Sequence, residues 1–233
     1  MEETLRITNV LSDETRLNIY DYIAKKHNSV NVQEIADTFH IHPNVARLHL
    51  TKLEDIGMII GRLQKNPKGG RPFRIYELSE EVIKLQFPFR DYEMLAKIAL
   101  ETLLSLGEQG KNALVETGRK FGHQIMAKTY PDLDVQTLTA EEKIKLLKDA
   151  SVMLGLEPEF DYNPSNDTYT YKIYNCPFKE IAAKDDHQTI CEMHRYFIKG
   201  MFEELFSNVI TLEEKTNMLN ECKTCGYLIN IKS

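Results

Sequence analysis

The stretch NVQEIADTFHIHPNVARLHLTKLEDIGMI, residues 31 to 59, restricts the fold more than any other part of the chain. Ile35, Ala36 and Phe39 recur at helical spacing, so a short helix is expected there with those residues facing inward. His40 to His42 then form a tight turn, and Pro43 opens a second helix at the position where its missing N–H costs nothing. Ala46, Leu50 and Leu53 follow at i, i+4 and i+7 and should face a core. Upstream, LSDETRLNIYDYIAKK reads as a helix capped by Ser12 or Asp13, with Leu17, Ile19, Tyr20 and Ile23 on its apolar side. This is helix-turn-helix spacing. It leaves Asn44, Arg47, Leu48, His49, Thr51 and Lys52 as candidates to meet base edges and phosphates in a major groove.

The next segment, MIIGRLQKNPKGGRPFRIYELS, alternates like a β-hairpin closed by NPKGGRP. Between positions 62 and 74 it carries Arg62, Lys65, Lys68, Arg71 and Arg74 and no acidic residue, which is the composition of a wing lying against phosphates. A solvated basic hairpin is the plainer alternative. Residues 1–80 hold 11 Lys+Arg and 11 Asp+Glu, so the remainder carries the whole formal charge of -6. That polarity suits one DNA-facing edge attached to an acidic body.

Beyond residue 88 the pattern changes. Residues 90–129 are predicted helical, with Tyr92, Leu95, Ile98, Ala99, Leu103 and Leu106 on a broad apolar stripe that suits either a dimer seam or packing within the chain. Gly118 and Gly122, four apart, allow another backbone to come close in a packed pair of helices. TAEEKIKLLKDASVMLGLEPEF is a helix with a capping box at Thr139 and Glu142, and two strands follow across the turn NPSND. The expected fold class is α+β. Residues 1–88 form a winged helix-turn-helix, and residues 89–233 a helical dimerisation segment with an α+β sensor domain.

All four cysteines fall within the last 58 residues: Cys176, Cys191, Cys222 and Cys225. Cys176 lies at a strand end in NCPF, and Cys191 on a helix with His187 four residues before it and His194 three after. Cys222 and Cys225 form a CxxC turn entering the last strand. A strand end, a helix face and a knuckle can converge on one tetrahedral site or cluster. Iron–sulfur, zinc, and buried free thiols all remain open on this pattern. His194 shares its helix side with Ile190, Phe197 and Met201, so taken alone it reads as a core histidine before it reads as a ligand.

Two groups of residues carry a family resemblance. PNVARLHLTKLEDIGMI followed by GRP is similar to winged-helix repressors of the ArsR and SufR-like group through Pro43, Arg47, His49, Leu50, Leu53, Gly57, Gly70, Arg71 and Pro72. Leu48 departs from relatives that carry a basic or aromatic residue, and Leu offers a thymine methyl an apolar contact only. The C-terminal part resembles SufR-like iron–sulfur regulators through Asn175, Cys176, Pro177, Phe178, Cys191, His194, Cys225 and Tyr227. The resemblance implies that Cys176, Cys191 and Cys225 are cluster ligands, with Cys222 or His194 as the fourth. It further implies a repressor of genes for cluster assembly.

The expected function is therefore a homodimeric regulator on a double-stranded DNA operator, because one recognition helix rarely gives enough specificity. A zinc- or thiol-responsive regulator, or one sensing a small molecule without metal, is the alternative. GxSxG, phosphate-loop and HExxH patterns are missing from the sequence, so no catalytic residue and no enzyme activity is expected. No apolar run approaches the ~20 residues of a membrane span, and the first ten residues lack a signal-peptide layout, so the expected location is cytoplasmic without membrane contact.

Overall fold

In a computed structural model, residues 2–65, 72–88, 90–131, 134–163, 168–183, 187–206 and 209–231 are described. The chain is α+β and divides into two compact units, Met1–Arg90 and Asp91–Ser233. Among the described residues no helix is long and apolar enough to cross a membrane.

In the first unit, α1 (Glu2–Leu11) precedes α2 (Glu14–Lys26), whose N-cap is Asp13, its carboxylate accepting the Arg16 N–H at 2.9 Å. A two-residue strand β1 (Val30–Asn31) leads into α3 (Val32–Phe39), capped in turn by the Asn31 side chain. His40 takes the left-handed conformation that ends α3, and the Ile41 N–H bonds back to the Ala36 carbonyl. His42 then caps α4 (Pro43–Asp55), its Nδ1 accepting the Asn44 N–H at 3.2 Å. Pro43 occupies the first turn, as its fixed φ favours. Two helices are thus joined by a three-residue turn.

They pack on a three-stranded antiparallel sheet in the order β1-β3-β2, where β2 is Ile59–Gln64 and β3 is Phe73–Leu78. Ala46, Leu50 and Leu53 of α4 are fully buried with Ile19, Ile23, Ile35, Ile59 and Tyr76. Each such aliphatic side chain contributes about 1.5–3 kcal/mol of transfer free energy. Glu54 ties α4 to the hairpin, accepting both the Gly61 N–H at 3.1 Å and the Arg74 guanidinium at 2.5 Å.

The second unit begins with α5 (Tyr92–Ser105) and α6 (Glu108–Thr129), where the sequence pattern suggested one continuous helix. Gly107 breaks it with a φ of 64°, a conformation that side chains avoid. The two helices then meet so closely that a Cβ on Gly110 would lie 1.7 Å from the Leu103 carbonyl oxygen. Tyr92, Met94, Leu95, Ile98 and Leu106 of this region are each more than half exposed.

Next come α7 (Ala140–Met153), opened by the Thr139–Glu142 capping box, and the antiparallel pair β4 (Pro158–Asn163) and β5 (Thr168–Ile173). The short α8 (Lys179–Ala182) and the long α9 (His187–Leu205) follow, then β6 (Val209–Thr216) and β7 (Cys225–Ile231). The four strands form an antiparallel sheet in the order β4-β5-β7-β6. Its core joins Tyr169, Tyr171, Ile173, Tyr227 and Ile229 to Met126, Leu147, Ile198, Met201 and Phe202 of the helices. Tyr171 stacks on Phe160 at 4.4 Å and donates to Ser151 at 2.9 Å, so its buried hydroxyl is satisfied.

Helices α6 and α9 approach backbone to backbone. A Cβ on Gly118 would stand 2.7 Å from the Met193 carbonyl oxygen, one on Gly122 2.0 Å from that of Phe197, and one on Gly200 2.1 Å from that of Arg119. Beside this contact, Arg119 grips Glu203 in a two-point ion pair at 2.7 and 2.9 Å. His123 bridges Glu204 at 2.9 Å and Glu203 at 3.2 Å. Gly122→Ala has no flexible neighbour to displace, so it should destabilise the second unit by about 3 kcal/mol or more, the upper range of overpacking costs. Thermal unfolding measures this, and an unchanged Tm would refute the close helix contact.

Candidate metal centre and nucleic-acid interface

Strand pairing starts the cysteine centre. Ile173, the last residue of β5, stands opposite Cys225, the first of β7. Three residues past Ile173 the chain reaches Cys176, steered there by the Asn175 amide, which donates to the Gly155 carbonyl at 2.7 Å. On the other side of the sheet edge, Asn217 caps the one-turn 3-10 helix Met218–Asn220, and Glu221 in the left-handed region turns the chain toward Cys222 and Cys225. Helix α9 supplies Cys191 and, one turn on, His194.

All four cysteines are free thiols. Cys225 is buried and the other three are partly buried. Burial above all, with Cys225 and Cys191 acting in the same direction, pushes the Cys176 thiol up to about 12. Cys225 is likewise raised by burial first, then by Cys191, Glu214 and Cys222, and Cys191 by burial and Glu214. These mutual influences define one electrostatic neighbourhood. Tyr227 belongs to it: burial raises its phenol, and Cys225, Glu214, Cys176 and Cys191 act in the same sense.

The sulfurs are also hydrogen-bond acceptors. The Met218 N–H donates to the Cys225 sulfur at 3.5 Å, while the Phe178 N–H near Cys176 and the Asn217 amide near Cys191 oppose the effect of burial on those two thiols. His194 Nδ1 lies 3.5 Å from the Cys176 sulfur. Its Nε2 is buried with no partner among the described residues, and Phe178 closes edge-on over the ring at 5.0 Å. Donors aimed at sulfur stabilise thiolate over thiol, and thiolate is the metal-binding form. The donor set therefore fits a thiolate-held metal or cluster, with Cys176, Cys191, Cys222 and Cys225 as the residues to hold it. Among the described residues, no three His, Cys, Asp or Glu side chains are already spaced to grip a single ion.

The sequence pattern supplied the cysteines and His194 but missed Asn217 and Met218. An Asn followed by a short polar break in KTNMLNEC is a turn-capping signal that points to them. His187 begins α9, and its side chain lies outside the described residues.

In the first unit, Asn44, Arg47, Leu48, Thr51 and Lys52 share the exposed side of α4, with Arg47 reaching the Asn44 amide oxygen at 3.5 Å. Leu48 is 55% exposed, so its apolar surface is available to a partner. His49 departs from expectation. It is buried, its Nδ1 is 4.0 Å from the Asp13 carboxylate, and burial lowers its pKa, so it belongs to the packing of α4 on the start of α2 and not to a DNA-facing surface. On the hairpin, Arg62 pairs with Glu77 at 3.0 Å, while Arg74 pairs with Glu54 and lies over the Tyr76 ring at 5.6 Å. Those two cations are held within the unit. Lys65 is exposed, and Lys68 and Arg71 lie outside the described residues.

No protein-family model matches the chain, and no curated protein matches it.

Proposed function

We propose that this chain is a cytoplasmic, homodimeric DNA-binding transcription regulator whose operator affinity responds to an iron–sulfur cluster held by Cys176, Cys191, Cys222 and Cys225. The observation that carries the reading is that Cys176, Cys191 and Cys225, drawn from a strand end, a helix and a CxxC turn, act on one another's charge, with the Met218 N–H donating to the Cys225 sulfur. A bound cluster would supply a redox- and iron-sensitive tie among those elements. The chain's own residues do the rest: Phe178, Met218 and Asn217 hold the sulfurs as acceptors, and Tyr227 and His194 fill the wall behind them.

In this reading α3 and α4 are a helix-turn-helix and the β2–β3 hairpin is its wing. Arg47 and Asn44 read base edges, Leu48 contacts a thymine methyl, and Thr51, Lys52 and Lys65 hold phosphates. The exposed apolar side of α5 supports pairing with a second copy, which would set the spacing of two recognition helices. Repression of cluster-assembly genes is the regulon the family resemblance favours. Zinc is the second reading, and one distance favours it. A sulfur and a ring nitrogen on one tetrahedral zinc stand about 3.5 Å apart, given bonds of about 2.3 and 2.0–2.1 Å, and Cys176 Sγ and His194 Nδ1 are 3.5 Å apart.

Anaerobically purified protein is expected to be brown and to hold iron and acid-labile sulfide in comparable amounts. Both should be lost, along with the effector response of operator binding, in Cys176→Ser and Cys191→Ser. A colourless protein with one zinc per chain would replace the cluster reading with the zinc one.

On DNA, Arg47→Ala should change base preference at one position and cost about 1–3 kcal/mol there. Lys52→Ala and Lys65→Ala should instead weaken binding to all sequences and flatten the salt dependence by about one counterion each. Titration of operator and random duplexes at several salt concentrations separates these effects. Unchanged affinity in all three variants rejects the interface.

A further inference from the structure

The Cys176–His194 contact has two chemical meanings, and the far side of the imidazole distinguishes them. Were Nδ1 a metal ligand, Nε2 would carry the ring proton. A metal-bound histidine almost always donates that N–H to a carboxylate, a carbonyl or water. Here Nε2 is fully enclosed with no partner among the described residues, and its ring neighbours are Phe178 at 5.0 Å and Phe197 at 6.2 Å. An orphaned buried N–H is among the rarest features of native structures, whereas an acceptor left short of partners is less so. The ring proton is therefore better placed on Nδ1, where it meets the Cys176 sulfur at 3.5 Å. The Phe178 N–H nearby also favours the charged form of that sulfur. Both N–H groups favour the thiolate that a metal would bind, and in the metal-free protein the ring N–H meets a lone pair of the neutral thiol.

We infer that His194 is a positioning residue that donates Nδ1–H to the Cys176 sulfur, and that the fourth ligand of the centre is Cys222. This rests on the metal-centre reading above and specifies its ligand set. Hydrogen bonds to ligating sulfurs raise the reduction potential of a cluster. His194 thus acts on the centre through Cys176 without touching the metal.

The tautomer is read directly by long-range proton–nitrogen NMR on metal-free, 15N-labelled wild-type protein, with the signal assigned by its loss in His194→Asn. The expected result is the Nδ1-protonated ring, and an Nε2-protonated ring overturns the inference even if nothing is ever loaded. Anaerobic reconstitution with iron and sulfide supplies the second measurement. His194→Asn, whose amide nitrogen falls near the place of Nδ1, should load as wild type does and keep its midpoint potential. His194→Phe should load but shift the potential downward, and Cys222→Ala should lose most of its iron and sulfide. Full loading of Cys222→Ala, or loss of metal from both His194 variants, overturns the ligand assignment. A wild-type chain that binds neither iron with sulfide nor zinc defeats the metal reading itself, and the tautomer measurement still decides the hydrogen bond.

Discussion

Three glycines set the geometry of the second unit. With Gly118 and Gly122 on α6 and Gly200 on α9, the two helices meet through backbone atoms, a separation that no side chain permits. Everything α9 carries is positioned by that contact. Ile198, Met201 and Phe202 are pressed into the sheet, and the same helix carries Cys191 and His194 toward the end of the central strands where Cys176 and Cys225 emerge. The Arg119–Glu203 pair and the two contacts of His123 fix the helices against sliding, because their geometry tolerates little displacement.

The cysteine centre is costly as thiolates and unremarkable as thiols. Burial alone raises Cys176, Cys191 and Cys225, so each thiol holds its proton in the metal-free protein at neutral pH. The N–H donors work against that trend on the same three atoms. An arrangement that buries sulfur and then hydrogen-bonds it has little value to a core of free cysteines, which pack as small hydrophobes without such donors. It has value when positive charge arrives with a metal, since the donors then stabilise thiolates whose desolvation the metal offsets.

Much of this was legible in the sequence wherever one residue type has one physical use. Pro43 marked a helix start, Thr139 and Glu142 marked a capping box, and the Gly118–Gly122 spacing marked a close helix contact. His49 was read as DNA-facing through its place in the family resemblance, between Arg47 and Leu50. Yet it sits three residues after Ala46 and four before Leu53, which is the buried side of α4. The break at Gly107 was missed although the apolar stripe stops at Leu106 and GEQGKN follows, because both flanking segments read as helix. Helix α1 buries only Ile7 and Val10, and the edge strand β6 runs through three consecutive charged residues, Glu213, Glu214 and Lys215, so neither gave a strong pattern. The donors at Asn217 and Met218 reach the sulfurs through a cap and a backbone N–H. Such groups become visible only when the chain is folded.

On the proposed function, a signal at the cysteines has a short route through the second unit. The centre joins the end of β5, the start of β7 and the N-terminal turns of α9, and α9 is locked by glycine contacts to α6. Helix α6 in turn meets α5 at Gly110, where the Leu103 carbonyl leaves no room for a side chain. A shift of α9 by even a fraction of an ångström cannot be absorbed at such contacts, because packed backbone has no rotamer to change. It must move α6, and with it the exposed apolar stripe of α5 that the reading assigns to the partner copy. Under that proposal rigidity matters more than flexibility, since a looser α6–α9 contact would dissipate the displacement before it reached the α5 stripe.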